Sequence, residues 1–412
     1  MNKISILFNL IILSTIIFII TGCSSGSRYA TKENVTNLTE KVPIRVLVSD
    51  NNNHLIYEVN NTIGLYNEEK EIAIVKEGNT LNFAPDENNL DLIIADKTFK
   101  GKYFELKSVE PDNKIYYNGH HYRGFLKIVP DGNNIKVINR ISLEDYLKGV
   151  IPSEMPIGHG ESYFQALKAF SICARTYAVM KMSGNNSLFD VYLDTRDQVY
   201  GGSDVEKPLS NKAVDETRNL ILTYNNKPAK VYYSAACGGH TENASNVFKD
   251  VDEPYLKGVN DGDPPYCSIE PGFEWKEKYP GNVFVDRLKK SGYISSDNFS
   301  LKDVEVKSRF ESGHVNDLQI TLTAENGDRK VVVINGNNIR SIIRTANDRH
   351  ILRSTMFNIS INIDGDVIIE GKGNGHGVGL CQWGAIAQSI DGKNYKQILS
   401  FYFPGTDIQE LK

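Results

Sequence analysis

Most of the short motifs that identify a hydrolase or a nucleotide-binding protein are missing from this chain. Its 412 residues contain no Gly-x-Ser-x-Gly elbow, no His-Glu-x-x-His pair and no phosphate loop, which excludes the serine-hydrolase, zincin and P-loop chemistries built on them. Charge of one sign is also scarce. The formal net charge is −5 with no basic block, so a nucleic-acid partner is not expected. Internal repeats are absent, and after residue 20 there is no second long apolar run, so the body reads as soluble. Cysteine is limited to five residues.

The start of the chain does carry a signal. Lys3 precedes a mostly apolar run from Ile4 to Ile20, followed by Thr21-Gly22-Cys23. Small residues ahead of a cysteine read as a lipobox, with cleavage before Cys23 and acylation of its thiol. At seventeen residues the run lies at the lower edge of the ~17–25 that span a bilayer, and a plain anchor has no need of Gly-Cys. The expectation is an exported, membrane-anchored lipoprotein facing the cell wall or periplasm, attached to the membrane through its lipid.

The organisation follows from changes of period. Residues 1–22 read as the signal and 23–41 as a flexible tether rich in Ser, Thr, Asn and Lys. From 42 to 120, short alternating apolar runs separated by Asn, Asp, Gly and Pro mark a β-rich region. Ser142 caps a short helix over 143–147, and a turn on Pro152 and Pro156 follows. Residues 161–182 carry apolar or small residues at helical spacing, the most secure helix in the chain. A core over 121–281, a β-rich arm over 282–370 and a closing segment over 371–412 complete the division, with a last helix at 382–390. The predicted fold class is α+β: a mixed sheet packed on the 161–182 helix, with β-rich arms around a groove.

Three constellations can carry chemistry. Val150-Ile151-Pro152-Ser153-Glu154-Met155-Pro156 holds one carboxylate between two prolines, each fixing its own φ. Partial burial beside Ile151 and Met155 would raise its pKa and leave a general acid; a surface glutamate in a proline turn fits the segment equally. Cys237-Gly238-Gly239-His240 puts a thiol and an imidazole three apart. With Cys267 they suit zinc, or Cys237 and Cys267 close a disulfide, the ordinary outcome in an exported protein. Gly371 to Gly379 has glycine at every second position, which reads as an extended segment with one bare face, either a groove for a flat sugar chain or a packing seam; His376 would project from the other face. The remaining histidines, among them His159, His314 and His350, read as ordinary.

In order along the chain, Tyr122-Arg123-Gly124, Leu143-Glu144-Asp145-Tyr146-Leu147, Pro152-Ser153-Glu154-Met155-Pro156, Ala174-Arg175-Thr176-Tyr177-Ala178, Gln198-Val199-Tyr200-Gly201-Gly202, Cys237-Gly238-Gly239-His240-Thr241, Gly375-His376-Gly377-Val378-Gly379-Leu380-Cys381-Gln382-Trp383-Gly384-Ala385 and Tyr402-Phe403-Pro404-Gly405-Thr406 together resemble the sporulation stage II protein D and amidase-enhancer (SpoIID/LytB) family. The resemblance implies binding of peptidoglycan glycan strands and lytic transglycosylase activity with Glu154 as the single acid/base. A partner carboxylate would be needed only by a hydrolase; Asp145 and Glu161 are near in sequence. It further implies Arg175, Tyr200, Tyr232, Gly375, His376 and Gln382 as substrate-binding candidates. A structural zinc at Cys237, His240 and Cys267 is implied too, with no cofactor required for the chemistry. The alternative function is a non-catalytic glycan-binding module that enhances or positions a cell-wall amidase. Two departures stand out: Ser234-Ala235-Ala236 replaces the expected His-Ser-Thr, and Cys381 stands where serine is usual. A Cys173–Cys381 disulfide would account for both of those thiols.

Overall fold

The computed structural model describes residues 43–411 except 111, 113, 159, 183–186 and 296–297. The signal, Cys23 and the tether lie outside the described residues, as does His159. Among the described residues no helix is long and apolar enough to cross a membrane.

The architecture is α+β. A seven-stranded sheet runs in the order Val191–Tyr192, Ile44–Asn52, Asn134–Ile141, Phe125–Asp131, Phe104–Ser108, Ile63–Asn67, Lys70–Val75. Its pairing is antiparallel apart from the short Val191–Tyr192 strand. The sheet crosses the expected boundary at 120/121: Leu126 lies opposite Leu106, and Val46 opposite Asn139. One apolar core that includes Val46, Leu106, Leu126 and Tyr146 serves both sides. The alternation of the strands was legible; that distant strands shared one sheet was not, because register is set by long-range pairing.

The helices are, in chain order, α1 (Leu143–Glu154), α2 (Phe164–Met182), α3 (Pro208–Glu216), α4 (Ala244–Val247), α5 (Gly281–Lys290), α6 (Asn338–Ile343), α7 (Gln382–Ile390) and α8 (Tyr395–Tyr402). α1 is capped as expected, with the Ser142 side chain accepting from the Asp145 N–H. It does not stop at 147, however: the helix continues through Pro152 and ends at Glu154. Proline there removes one backbone donor. The last turn holds because the Met155 N–H reaches Ile151 O at 3.1 Å and the Ser153 hydroxyl donates to Gly149 O at 2.8 Å.

α2, entered through a 3-10 turn at Glu161–Tyr163, occupies the centre. The edge of the seven-stranded sheet, Ile44–Asn52 and Val191–Tyr192, touches it, and α1, α3, α7, α8 and the strand Leu220–Tyr224 pack around the rest, which its alanines at 166, 169, 174 and 178 permit, all fully buried. Arg175 on α2 is buried with them and forks onto Glu144 of α1, at 2.8 Å to Oε1 and 2.7 Å to Oε2, while also donating to Leu220 O and Val214 O. One guanidinium thus ties α1 and α2 to α3 and to the strand that follows it.

The arm begins at Glu274 rather than 282, because Glu274–Tyr279 pairs with Val367–Lys372 along its full length. It contains α5, α6 and a separate three-stranded sheet, Phe299–Arg309, Val315–Ala324 and Arg329–Asn335, around its own core of Tyr279, Phe284, Leu288, Leu318, Ile334 and Ile369. Buried polar contacts hold it on the body. The Ser312 hydroxyl donates to Glu242 Oε2 at 2.5 Å, His314 Nε2 lies 3.1 Å from Cys237 O, and the Trp275 indole donates to Gly373 O at 2.9 Å. His314 is therefore not an ordinary histidine but a buried pin between arm and body.

Candidate active site

Glu154 sits at the C-terminal end of α1, partly exposed, on the wall of a cavity of about 730 Å³. Two donors hold its carboxyl. The Val199 N–H reaches Oε1 at 2.5 Å, and the Tyr233 hydroxyl also donates to it. Behind Tyr233 the chain of donors continues: Gln198 Nε2 donates to the Tyr233 oxygen at 3.1 Å, and the Tyr146 hydroxyl donates to Gln198 Oε1 at 3.3 Å. Burial raises the Glu154 pKa, and the two hydrogen bonds oppose that rise without cancelling it. A carboxyl held by neutral donors and partly withdrawn from water can both give and take a proton.

Of the substrate-binding candidates, the structure brings Tyr232, Gly375 and His376 to the same cavity as Glu154. The Tyr232 ring stacks on Phe248 with centroids 4.1 Å apart. His376 Nδ1 accepts from the Val378 N–H at 3.0 Å. Burial, and secondarily the charge of Arg340, push the imidazole down to about 3, so it is neutral at neutral pH.

Three candidates lie elsewhere. Arg175 is fully buried in its pair with Glu144. Tyr200 is buried with its hydroxyl on Asn139 Oδ1 at 3.0 Å; it anchors the loop that presents the Val199 N–H. Gln382 is buried at the start of α7. Arg175 and Tyr200 spend their polar atoms on the scaffold rather than on the cavity. Asp145 and Glu161 are also occupied elsewhere, on Lys148 and Lys212 respectively.

The glycine run is not an extended segment. Gly373, Gly375, Gly377 and Gly379 all have positive φ, between 74° and 121°, and the chain loops back against the strand after Val231. A Cβ on Gly375 would lie 2.4 Å from Ser234 Cβ, and one on Gly379 2.2 Å from Tyr232 O. The run is a packing seam whose far side carries His376 into the cavity.

Sequence reasoning missed most of the cavity's charge. Arg340, Arg344, Arg349 and His350 all line it and all come from the arm. Arg340 is 8% exposed and donates to Leu352 O at 2.8 Å and Asn337 Oδ1 at 3.3 Å. Among the described residues no carboxylate pairs with it. Burial pushes it down to about 10, still charged at neutral pH. Arg344 is paired with Asp348. Asp197 is a second carboxylate on the wall, but its oxygens are engaged by Tyr177, Lys181 and the Tyr192 N–H. No local pattern announces residues that only an inserted arm brings to the groove.

The four thiols at 173, 237, 267 and 381 are all free, so neither expected disulfide is formed. Cys237 and Cys267 do converge as the metal reading required, but their further companions are Cys381 and Asp261. His240 faces the Thr241 carbonyl, with Nδ1 2.7 Å from it, and lies outside the group.

These features define a protein whose cavity presents the Glu154 carboxyl among cationic side chains, most of them supplied by the arm. A family model described as "Stage II sporulation protein" matches residues 131–224, which hold α1, Glu154 and α2. A second, described as a domain of unknown function, matches residues 268–379, close to the arm as the structure bounds it. Stage II sporulation protein D of Bacillus amyloliquefaciens is 31% identical over 291 residues, covering 66% of this chain and 76% of that protein. An uncharacterized protein of Brachyspira hyodysenteriae is 34% identical over 370 residues, 89% of this chain and 92% of that one. The amidase enhancer of Bacillus subtilis is 30% identical over 297 residues, 64% of this chain but 40% of that protein. The chain belongs to the stage II sporulation protein D family. That family is linked to processing of the cell wall.

Proposed function

We propose that this protein is an exported, cell-wall-facing lytic transglycosylase that cleaves peptidoglycan glycan strands, with Glu154 as its only acid/base. The observation that carries the reading is a raised-pKa carboxyl, held by Val199 and Tyr233, on the wall of a 730 Å³ cavity. Protonated Glu154 gives its proton to the glycosidic oxygen as the bond from the muramyl C1 breaks. The resulting carboxylate then takes the proton of the same sugar's C6 hydroxyl, whose oxygen bonds to C1 and closes an anhydro ring. Water takes no part, so no second carboxylate is called for. Asp197, with its oxygens engaged, is poorly placed to activate a water. The Tyr232 and Phe248 rings offer an apolar face to a pyranose, and the arm's arginines suit the carboxyl groups that muramyl residues carry. Lipidation of Cys23 would hold the enzyme at the membrane, within reach of the wall.

Purified mature protein incubated with glycan strands tests this by mass spectrometry of the products. Anhydro-muramyl ends that vanish in Glu154→Gln are expected. Strand binding without cleavage would instead make the protein a non-catalytic module that positions or enhances an amidase.

A further inference from the structure

Three thiols from remote stretches of sequence meet in the core behind the cavity. Cys237 follows the short strand Tyr233–Ser234, Cys267 lies in the one-turn helix Tyr266–Ile269, and Cys381 stands at the N-cap of α7. All three are fully buried, as is Asp261. Their sulfurs and one Asp261 carboxylate oxygen lie within 4.8 Å of one another. Cys237 Sγ is 3.7 Å from Cys267 Sγ. That is far beyond the ~2.05 Å of a disulfide. It matches the ~3.8 Å edge of a tetrahedron whose centre is ~2.3 Å from each sulfur, the zinc–thiolate distance.

The surroundings are those of ligands already oriented. The Cys237 N–H points to Cys381 Sγ at 3.3 Å, and a further backbone N–H, from Gly238, is directed at the Cys267 sulfur. Such donors stabilise thiolate. Asp261 is fixed at both oxygens, Oδ1 accepting from the Tyr402 hydroxyl at 2.6 Å and Oδ2 from the Cys267 N–H at 2.8 Å, as outer-shell partners commonly fix a ligating carboxylate. A disulfide between any two of the three sulfurs would leave the third unused. A cation uses all of them.

We propose that Cys237, Cys267, Cys381 and Asp261 form a closed tetrahedral site for a thiophilic divalent cation, zinc being the ion this donor set suits, and that the site is structural. Four protein donors leave no open position for catalysis. The site joins the segment before the arm, through Asp261 and Cys267, to the segment after it, through Cys381, and fixes both to the Cys237 turn whose carbonyl receives His314 of the arm. The proposal is independent of whether Glu154 cleaves anything. It also moves the metal away from His240.

The test is elemental analysis of the full mature chain purified under reducing conditions and reconstituted with zinc, together with the visible spectrum after cobalt replacement. About one equivalent of zinc per chain is expected, with thiolate-to-cobalt charge transfer and the intense visible bands of tetrahedral cobalt. Cys267→Ser should cut bound zinc at least tenfold, whereas His240→Ala should retain it in full. Where Cys267→Ser does not fold, two further readouts serve. Asp261→Asn should keep the charge-transfer bands but lower zinc affinity at least tenfold, and alkylation of native protein should spare Cys237, Cys267 and Cys381 until a chelator is added. A chain that binds no zinc after reduction and reconstitution overturns the proposal. So does zinc lost in His240→Ala and retained in Cys381→Ser.

Discussion

The backbone N–H of Val199 donates to Glu154 Oε1 at 2.5 Å, across forty-five residues of chain. This bond steadies a carboxyl that burial keeps proton-rich, and it gives the site two linked pH responses. In the proposed mechanism the acid form begins the reaction, so cleavage should decline as pH rises through the raised Glu154 pKa. Glu154→Gln should lower the rate at least ~100-fold at pH values below that pKa, the scale of a lost general acid, with the gap narrowing above it.

Stability should respond with the same preference. A carboxyl whose folded pKa is raised holds its proton more tightly in the native state. Its contribution is complete below the unfolded glutamate value and is lost as pH rises through the folded one. Glu154→Gln, which carries no charge to bury, should therefore melt higher than the wild type at pH 8 and at the same temperature at pH 4. Equal melting temperatures at both pH values would contradict the burial of the carboxyl.

Arg340 charges the cavity from within. Arg340→Met should weaken binding of carboxylate-bearing glycan, and the loss should shrink as salt is added. Its removal should also let the His376 pKa rise, since the Arg340 charge contributes to its depression. Titration of the imidazole by NMR reads that shift directly, and an unmoved pKa would place the guanidinium's field elsewhere.

The buried Glu144–Arg175 fork should be sensitive to the loss of either partner. Glu144→Gln or Arg175→Met is expected to cost ~3–5 kcal/mol, since each strands the other charge in the core. Chemical denaturation measures this. Arg175→Lys should not restore the loss, because one ammonium cannot reach both carboxylate oxygens and the Val214 and Leu220 carbonyls together.

Gly379→Ala should be as damaging as any core truncation. The new methyl would meet the Tyr232 carbonyl at 2.2 Å, and the residue is held at φ +74°. Strain and overlap together should cost more than ~2 kcal/mol. The displaced Tyr232 ring should lower glycan binding even at temperatures where the variant stays folded.

The elements with strong local signatures were legible before any coordinates. α2 lies within the stretch that its apolar spacing marked, α7 fills the expected 382–390, and the Ser142 cap is in place. Glu154 stood out because prolines flank it. Other features depended on distant chain. The arm reaches the groove through residues with no motif of their own, and Arg175 and Tyr200, drawn toward substrate by their motifs, spend their polar atoms on Glu144 and Asn139. The glycine run was read with the period of a strand, but its positive φ values belong to a chain that must fold back on a neighbour without room for side chains. Cys237 and Cys267 were expected together and do converge, yet Cys381, which had been assigned to Cys173, and Asp261, which no cysteine spacing points to, join them.

The strands Glu274–Tyr279 and Val367–Lys372 leave the body and return to it side by side, Trp275 opposite Gly371. An insertion with neighbouring ends behaves as a cassette: it can be shortened, exchanged or deleted while the severed ends remain close enough to rejoin. The body would keep its cleft floor and Glu154, and would lose the cationic rim. Selectivity for the proposed glycan substrate could then evolve in the arm without touching Glu154.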